Sequence, residues 1–487
     1  MAQKKKQSPV PVRFVQACLN GHISDIDWYR FVNPDCRSNC PAQLWLDEGG
    51  TGNDFADIFI RCEQCKKRRP LSDATIPGRN VLRYCQGQRP WLGQGALEQC
   101  IARDKDLPEK NRLLVRSASN AYFAQTLSVI SIPDSDQKLK DAVSQVYENH
   151  LKFSKSFDRL REERERPNVA NALEGFTDEA VWAEVQRRLS GEQPKAKSIK
   201  QVEIEALLSS PEEVGEDIPE GDFYARTRKI KDLPSALASR LERIILVHRL
   251  REVIAQVGFT RFEAEMPDID GELSLDVRRA ALDVEPTWVP AVENKGEGVL
   301  ISFNKTAIKE WQNSQPVKNR GSELLHGFGQ WCKRRSIPKD KAHFPGLPYI
   351  MLHSLSHLLI TAVSLECGYA ASSIRERIYA GESGYGILLY TGTSGSEGTL
   401  GGLVEVGKRI EHHLATAIEF GKLCSNDPVC AQHKPDNMQE ERFLHGAACH
   451  SCLLIAETSC ERRNEFLDRA LVVNTVEGLG AAFFPDK

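Results

Sequence analysis

The chain carries Cys424-Ser425-Asn426-Asp427-Pro428-Val429-Cys430, then Cys449-His450-Ser451-Cys452, then Cys460-Glu461-Arg462-Arg463-Asn464-Glu465-Phe466-Leu467-Asp468-Arg469. Cys449 and Cys452 have C-x2-C spacing, at which two thiolates from one turn occupy neighbouring corners of a tetrahedron. Buried free thiols are the alternative, but polar residues and glycines surround this pair. We therefore predict a zinc knuckle, for which five cysteines compete for four positions.

The composition predicts several domains and indicates no general affinity for nucleic acid. A length of 487 residues predicts two or three domains, and 41% hydrophobic with 27% charged residues is typical of soluble globular proteins. Lys and Arg number 64 against 67 Asp and Glu, a formal net charge of -3. Contact with DNA would therefore need a local basic patch or a partner.

Cysteine usage and hydropathy predict a cytoplasmic protein that holds metal. The chain opens Met-Ala-Gln-Lys-Lys-Lys without a following apolar segment, and no uninterrupted apolar run approaches the roughly 18 residues that span a bilayer. We expect no membrane association. The 14 cysteines form an N-terminal and a C-terminal group, and clustered cysteines in a reducing compartment hold metal more often than disulfides.

Residues 1–134 are predicted to form an α+β module of the zinc-ribbon kind. The spacing Cys36-x3-Cys40 is followed by an alternating strand at 57–60 and by Cys62-x2-Cys65, the order in which two hairpin tips supply one zinc. A second set of donors with looser spacing consists of Cys18, His22, Cys85 and Cys100. Alone, His22 would be a solvated or capping histidine.

A basic run, Lys66-Lys67-Arg68-Arg69, follows the second knuckle. Such a run is usually a solvated face, and contact with nucleic acid or a partner is the alternative. Residues 135–234 are predicted to be helical and strongly charged, with linkers, and residues 235–487 to form a C-terminal α/β domain. Within that domain the pattern predicts a helix over 235–257, a buried strand over 298–303 and a short helix over 305–311.

His353 and His357 stand at i and i+4 on a predicted helix over 348–360, which is metal-binding geometry in principle. The zincin pattern also needs a glutamate between them, and Ser354, Leu355 and Ser356 stand there instead. We therefore favour two histidines hydrogen-bonded at a domain or partner interface over a catalytic metal site.

A predicted strand over 384–390 runs into a glycine-rich loop at 391–403. Backbone N–H groups of such a loop can cradle a phosphate, but no Gly-Lys-Ser/Thr occurs there, so it is not a Walker A loop. Contact with a DNA backbone and structural tight packing are the two interpretations. The candidate contact residues are Thr393, Ser394, Ser396 and Thr399.

These motifs together carry a family resemblance. The series from His353 to His357, Gly398 to Gly402, and Gly446 through Cys452 to Arg469 resembles a domain fused to, or encoded beside, bacterial superfamily 2 helicases. With the N-terminal elements, the chain resembles the DrmB family of DISARM phage-defence systems. By that resemblance, Cys449, Cys452 and Cys460 match the family's zinc cysteines, and Cys424 or Cys430 completes the set.

The resemblance implies a multidomain α+β protein with one or two structural zinc ions per chain. It implies a non-catalytic subunit that forms a heterodimer with a DrmA-like superfamily 2 helicase and supports its loading and translocation. DNA would be contacted directly or through the helicase, and a DNA methyltransferase component of the same system is a further candidate partner.

An enzyme of another class is the alternative hypothesis. A metal-dependent nuclease or hydrolase would use His353 and His357 with a distant carboxylate. The sequence shows no ATPase motif and no convincing set of catalytic carboxylates, which favours the accessory subunit.

Overall fold

The computed structural model describes residues 11–33, 43–49, 54–76, 78–102, 107–132, 135–190, 197–212, 221–229, 235–263, 268, 270–271, 279–335, 337, 343–391 and 402–486. The chain divides into two compact units that are discontinuous in sequence. Unit 1 comprises Met1–Ser128, Ile254–Asp268 and Glu272–Val292, and unit 2 comprises Val129–Val253, Ile269–Gly271 and Glu293–Lys487. The architecture mixes helix and sheet in more than one domain, as predicted. The proposed segment boundaries near residues 134 and 234 stay a prediction.

Unit 1 contains two three-stranded antiparallel sheets, ordered β2-β1-β6 and β3-β4-β5. Its elements are β1 (Phe14–Ala17), β2 (Ile23–Ser24), α1 (Trp28–Val32), β3 (Leu44–Glu48), β4 (Ile58–Cys62), β5 (Arg68–Pro70) and β6 (Arg112–Val115). The predicted strand at 57–60 is confirmed as β4. Its side chains alternate between buried and half-buried, and Ile58 and Ile60 pack with Phe14, Phe31 and Leu71 in one core.

The charged middle region begins with a group of helices in unit 2, as predicted. These are α2 (Ser135–Tyr147), α3 (Phe157–Arg164), α4 (Pro167–Ala172) and α5 (Asp178–Ser190), and they follow β7 (Phe123–Ser131). Apolar side chains at helical spacing, among them Val143, Leu160, Val169 and Val181, form a separate core. Most charged side chains lie on the outside, where for example Arg159 pairs with Glu162, but Glu163 and Glu184 are buried.

The main sheet of unit 2 has the order β11-β12-β10-β9-β7, and β8 pairs with β9. The remaining elements are α6 (Ile199–Leu208), β8 (Tyr224–Arg228), α7 (Ser235–Ala238), β9 (Leu241–Thr260), β10 (Ala291–Phe303), α8 (Lys305–Asn313), α9 (Gln315–Arg334), α10 (Leu347–Cys367), β11 (Ile374–Gly381), β12 (Gly384–Thr391), α11 (Gly402–Lys408) and α12 (Ile410–Lys422). The predicted strands over 298–303 and 384–390 and the predicted helices over 305–311 and 348–360 are confirmed.

The helix predicted over 235–257 is wrong. Only Ser235–Ala238 is helical, and the chain then forms the 20-residue strand β9. Ile244 and Leu246 face the large core that contains α10, whereas Ile245 and Val247 face a smaller core with α6. A strand buried on both faces shows a nearly continuous apolar run, which a 3.6-residue period also fits.

Helix α10 lies at the centre of the large core. Its 21 residues are long and apolar enough to cross a membrane by length and composition, but 72% of the apolar window is buried inside the protein. It contacts α12, β11 and β12. The helix ends at Gly368, whose φ of 72° is the left-handed conformation favoured by glycine at a helix C-terminus. We therefore assign α10 as a core helix.

Candidate metal centres

The structure brings four C-terminal cysteines together. The sulfurs of Cys424, Cys430, Cys449 and Cys452 all lie within 4.8 Å of one another. Cys424 and Cys449 are 3.4 Å apart, Cys430 and Cys452 are 3.8 Å apart, and Cys449 and Cys452 are 3.7 Å apart. Four thiolates about 2.3 Å from a tetrahedral zinc would be separated by about 3.8 Å. This donor set therefore fits zinc.

A buried arginine holds the first two cysteines in place. Cys424 and Cys430 belong to the turn that follows α12, and Arg469 spans the junction. Its guanidinium donates to the carbonyl oxygens of Gly421 at 2.8 Å and Lys422 at 3.2 Å, and it pairs with Asp427. The carboxylate of Asp427 in turn accepts the backbone N–H of Cys424 at 3.0 Å. Arg469 thus ties the end of the helix to the metal-binding turn.

The thiols of this group influence one another strongly. A hydrogen bond from Cys452, with the nearby Arg469 charge among the further causes, lowers the pKa of Cys430 to about 6. Burial raises the pKa of Cys424 to about 11. Backbone N–H groups also donate to sulfur, from Asn426 to Cys424 at 3.4 Å and from Cys449 to Cys452 at 3.3 Å. Four converging thiolates repel one another unless a cation lies between them.

The fifth cysteine of the region, Cys460, lies in another place. The structure brings both Cys424 and Cys430 to the C-x2-C pair, so these two residues together complete the set of four cysteines. Cys460 is buried beside α10, with its sulfur 3.1 Å from Nε2 of His353. Cys460, which the resemblance matched to the zinc cysteines, therefore does not belong to the four-cysteine group.

The second N-terminal set also converges. Cys18, His22, Cys85 and Cys100 offer donor atoms within 4.8 Å of one another, and all four are buried in unit 1. The sulfur of Cys18 is 3.3 Å from Nδ1 of His22 and 3.9 Å from the sulfur of Cys100. Nε2 of His22 lies 2.5 Å from the carboxylate of Glu98. A carboxylate behind a histidine orients the ring and fixes the tautomer in many zinc sites.

The zinc ribbon predicted from the other N-terminal cysteines is described only in part. Cys36 and Cys40 lie outside the described residues. Cys62 is buried at the end of β4, and Cys65 is exposed, with its sulfur 3.5 Å from the side-chain oxygen of Asn33. The pairing of Cys36 and Cys40 with Cys62 and Cys65 stays a prediction.

The basic run after Cys65 is partly engaged in local contacts. The Arg68 guanidinium lies 4.0 Å from the ring centroid of Phe59, and Arg69 is 3.7 Å from the carboxylate of Asp73. Lys66 and Lys67 are exposed. The candidate phosphate contacts in the glycine-rich loop, Thr393, Ser394, Ser396 and Thr399, lie outside the described residues.

The histidine pair lies in a third donor group that sequence reasoning did not assemble. His353 and His357 converge with Glu376 of β11 and with Cys460, and all four are buried. Glu376 was missed because a charged residue in the run Arg375-Glu376-Arg377 is typical of an exposed position on a strand. A carboxylate within a strand that continues Ile378-Tyr379-Ala380 was the available signal.

Comparisons with known proteins agree with the C-terminal site. Residues 355–453 match the family model described as the MrfA Zn-binding domain, and residues 2–123 match a domain of unknown function, DUF8724. The DISARM protein DrmB of Bacillus paralicheniformis is 31% identical over 495 residues, covering 97% of this chain and 82% of the relative. The four clustered cysteines lie within the matched zinc-binding domain. They constitute a structural zinc site.

Proposed function

Because this chain belongs to the family of the DISARM protein DrmB, we propose that it is a non-catalytic accessory subunit of a phage-defence complex. In this proposal the chain forms a heterodimer with a DrmA-like superfamily 2 helicase and supports loading and translocation of that helicase on DNA. The match along 97% of the chain is the observation that carries the proposal. A cytoplasmic location follows from the same role.

The number of protein donors at the candidate metal centres supports a structural rather than a catalytic role for the metals. Catalytic zinc sites keep a position open for water or substrate, whereas structural sites are closed by four protein ligands. The C-terminal and the N-terminal groups each offer four protein donors. We infer that these metals hold surfaces in shape.

The nuclease alternative meets an obstacle of access. The side chains of His353, His357 and Glu376 have no exposed surface. A phosphodiester would have to displace part of the large core to reach them. Purified protein incubated with DNA and Mg²⁺, Mn²⁺ or Zn²⁺ is expected to leave the DNA intact. Cleavage that His353→Ala abolishes would instead support the enzyme.

We place part of the helicase-binding surface next to the C-terminal zinc. Leu423 and Val429 are 71% and 74% exposed, and each is the immediate neighbour of a clustered cysteine. A turn that is already ordered by metal loses little conformational freedom when a partner binds, which favours the use of these apolar side chains in a protein contact. Contact with the helicase would bury both side chains.

Co-purification with a DrmA-like helicase tests the proposal. Leu423→Asp/Val429→Asp is expected to reduce helicase capture at least tenfold without changing the zinc content. The matched control is Leu189→Asp/Val476→Asp, which charges two apolar side chains that are 45% and 55% exposed and do not adjoin a cysteine. Equal capture by both variants would remove this surface from the interface.

The DNA-dependent ATPase rate of the helicase, with and without this chain, tests the role itself. We expect this chain to raise the DNA-stimulated turnover. A wild-type chain that neither binds the helicase nor alters its turnover would refute the accessory-subunit proposal. The same pull-down with the methyltransferase component reports whether that protein is a further partner.

We propose that DNA is reached mainly through the helicase. The formal charge of -3 provides no general attraction to phosphate, and Arg68 and Arg69 already contact Phe59 and Asp73. The exposed Lys66 and Lys67 are the candidates for direct contact.

A further inference from the structure

A third group of donors is buried between α10, β11 and the segment that follows the C-x2-C pair. Nε2 of His353 lies 3.0 Å from Oε1 of Glu376 and 3.1 Å from the sulfur of Cys460. Nε2 of His357 lies 3.2 Å from the same carboxylate oxygen. Nitrogen and oxygen ligands about 2.0–2.1 Å from a tetrahedral metal are about 3.3–3.4 Å apart. The two nitrogen–oxygen separations are close to those values. The nitrogen–sulfur separation of 3.1 Å is shorter than the roughly 3.6 Å expected when the sulfur lies about 2.3 Å from the metal.

The second nitrogen of each ring indicates which way the lone pairs point. Nδ1 of His353 lies 3.2 Å from the carbonyl oxygen of Phe466, and Nδ1 of His357 lies 2.8 Å from that of Leu453. A carbonyl oxygen only accepts hydrogen bonds, so each Nδ1 carries the hydrogen. In a neutral imidazole the Nε2 lone pair is then free, and both lone pairs point at one oxygen of Glu376. A cation at the centre converts this repulsive arrangement into coordination.

The sulfur of Cys460 is surrounded as a thiolate ligand is. It accepts the backbone N–H of Asn464 at 3.1 Å and that of Arg462 at 3.3 Å. Hydrogen bonds to the charged form favour that form. The same kind of bond reaches Cys424 from Asn426 at 3.4 Å in the zinc site described above.

The carboxylate has supporting contacts of its own. Oε1 of Glu376 accepts the backbone N–H of Glu461 at 3.2 Å, and Oε2 accepts the hydroxyl hydrogen of Ser356. Such second-shell hydrogen bonds orient the ligands of metal sites. Each of the four candidate ligands is therefore held by a partner outside the group.

We propose that His353, His357, Glu376 and Cys460 bind one divalent transition metal ion of the zinc type, in a closed structural site separate from the four-cysteine site. Two nitrogens, one oxygen and one sulfur suit zinc, whereas calcium and magnesium require oxygen ligands. His353, His357 and Glu376 have no exposed side-chain surface and Cys460 is 6% exposed, so four protein ligands leave no position for a substrate. The site does not depend on the helicase role.

The metal would fasten the C-terminal segment to the core helix. His353 and Cys460 are 107 residues apart in sequence, and Glu376 joins them from β11. The segment from residue 423 onwards contains, in its described part, only a short 3-10 helix at Arg469–Leu471 as regular structure. A crosslink between this irregular segment and α10 would stabilise it, because a preformed site is lost when the chain unfolds.

Protons are the competing occupants. If both histidines are doubly protonated, Glu376 can accept from both rings without metal. Anomalous diffraction from crystals of the full chain, collected on both sides of the zinc edge, separates the two cases. We expect a peak between the four donors and another within the four-cysteine group. A peak at the four-cysteine group with none at the histidine group would overturn the proposal.

A variant measures the same site in solution. Cys460→Ser is expected to contain one zinc equivalent less than the wild type by elemental analysis. The matched control, Cys332→Ser, also places a hydroxyl in the core at a buried cysteine that belongs to none of the three donor groups, and it should keep the wild-type zinc content. Equal zinc in wild type and Cys460→Ser would count against the site. If Cys460→Ser does not fold, the diffraction result on the wild type decides.

Discussion

Replacing Arg320 with leucine tests how the C-terminal zinc turn is anchored. Nε of Arg320 donates to Oδ2 of Asp468 at 2.6 Å, and the two side chains are 4% and 0% exposed. The other oxygen of Asp468 accepts the backbone N–H groups of Ala447 at 2.9 Å and Ala470 at 3.0 Å. Ala447 lies two residues before Cys449, so this carboxylate positions the turn that presents the C-x2-C pair.

The size of the effect follows from leaving Asp468 without its cation. Removing one partner of a buried ion pair costs about 3–5 kcal/mol. Each tenfold change in an equilibrium corresponds to about 1.4 kcal/mol, so the population of the opened turn rises by roughly 10²- to 4 × 10³-fold. If zinc leaves only from the opened turn, its release should accelerate by about the same factor.

The assay is zinc release to an excess of a coloured chelator at fixed pH and temperature, after circular dichroism has shown that each variant is folded. Arg334→Leu is the control, because Arg334 and its partner Glu441 are 50% and 57% exposed. An exposed pair contributes about 0–1 kcal/mol, so this variant should release zinc at most about fivefold faster. Release from Arg320→Leu at the rate of the wild type or of the control would refute the reasoning.

Three further perturbations have defined outcomes. Cys452→Ser should contain one zinc equivalent less by elemental analysis, and its C-terminal region should unfold at a lower temperature. The reason is that structural zinc binding contributes on the order of 10 kcal/mol in small modules. An unchanged zinc content would contradict this. Lys66→Ala/Lys67→Ala should weaken DNA binding by the purified complex. The slope of the logarithm of the binding constant against the logarithm of the salt concentration should become shallower by about 1 for each phosphate that a lysine had neutralised. An unchanged slope would show that these lysines do not contact DNA. Burial lowers the pKa of His445 from 6.5 to about 4, so the unfolded chain binds this proton more readily and stability should fall as the pH drops from 6.5 towards 4. Thermal unfolding at pH 7 and pH 5 should show a smaller decrease in stability for His445→Gln, and equal decreases would exclude His445 as the cause.

Several elements could be predicted because residues at their ends mark where they begin or end. Helix α8 begins where Asn304 accepts the backbone N–H of Ala307 at 3.0 Å, and α10 ends at a glycine. Strand β9 could not be predicted in the same way. Its apolar residues serve two cores at once, so the alternation that marks a half-buried strand is absent.

The metal-donor groups, too, could be predicted only where their residues lie close together in sequence. The C-x2-C spacing identified Cys449 and Cys452, and the i, i+4 spacing placed His353 and His357 on one face of a helix. Their partners lie far away in sequence: Cys424 is 25 residues from Cys449, and Cys460 is 107 residues from His353. The sequence left Cys424 as one of several candidates, and it identified neither Cys460 nor Glu376 as a neighbour of the histidines.

The sequence by itself determined the chemistry, namely clustered thiols that bind zinc and a helix with two histidines on one face, because short spacings are set by covalent geometry and hydrogen bonds within a few residues. Only the tertiary structure decided which ligands meet. Cys460 joins the histidines, and both Cys424 and Cys430 join the C-x2-C pair. The physical reason is that the packing of apolar side chains around α10 brings distant segments together, and this packing depends on the whole core at once.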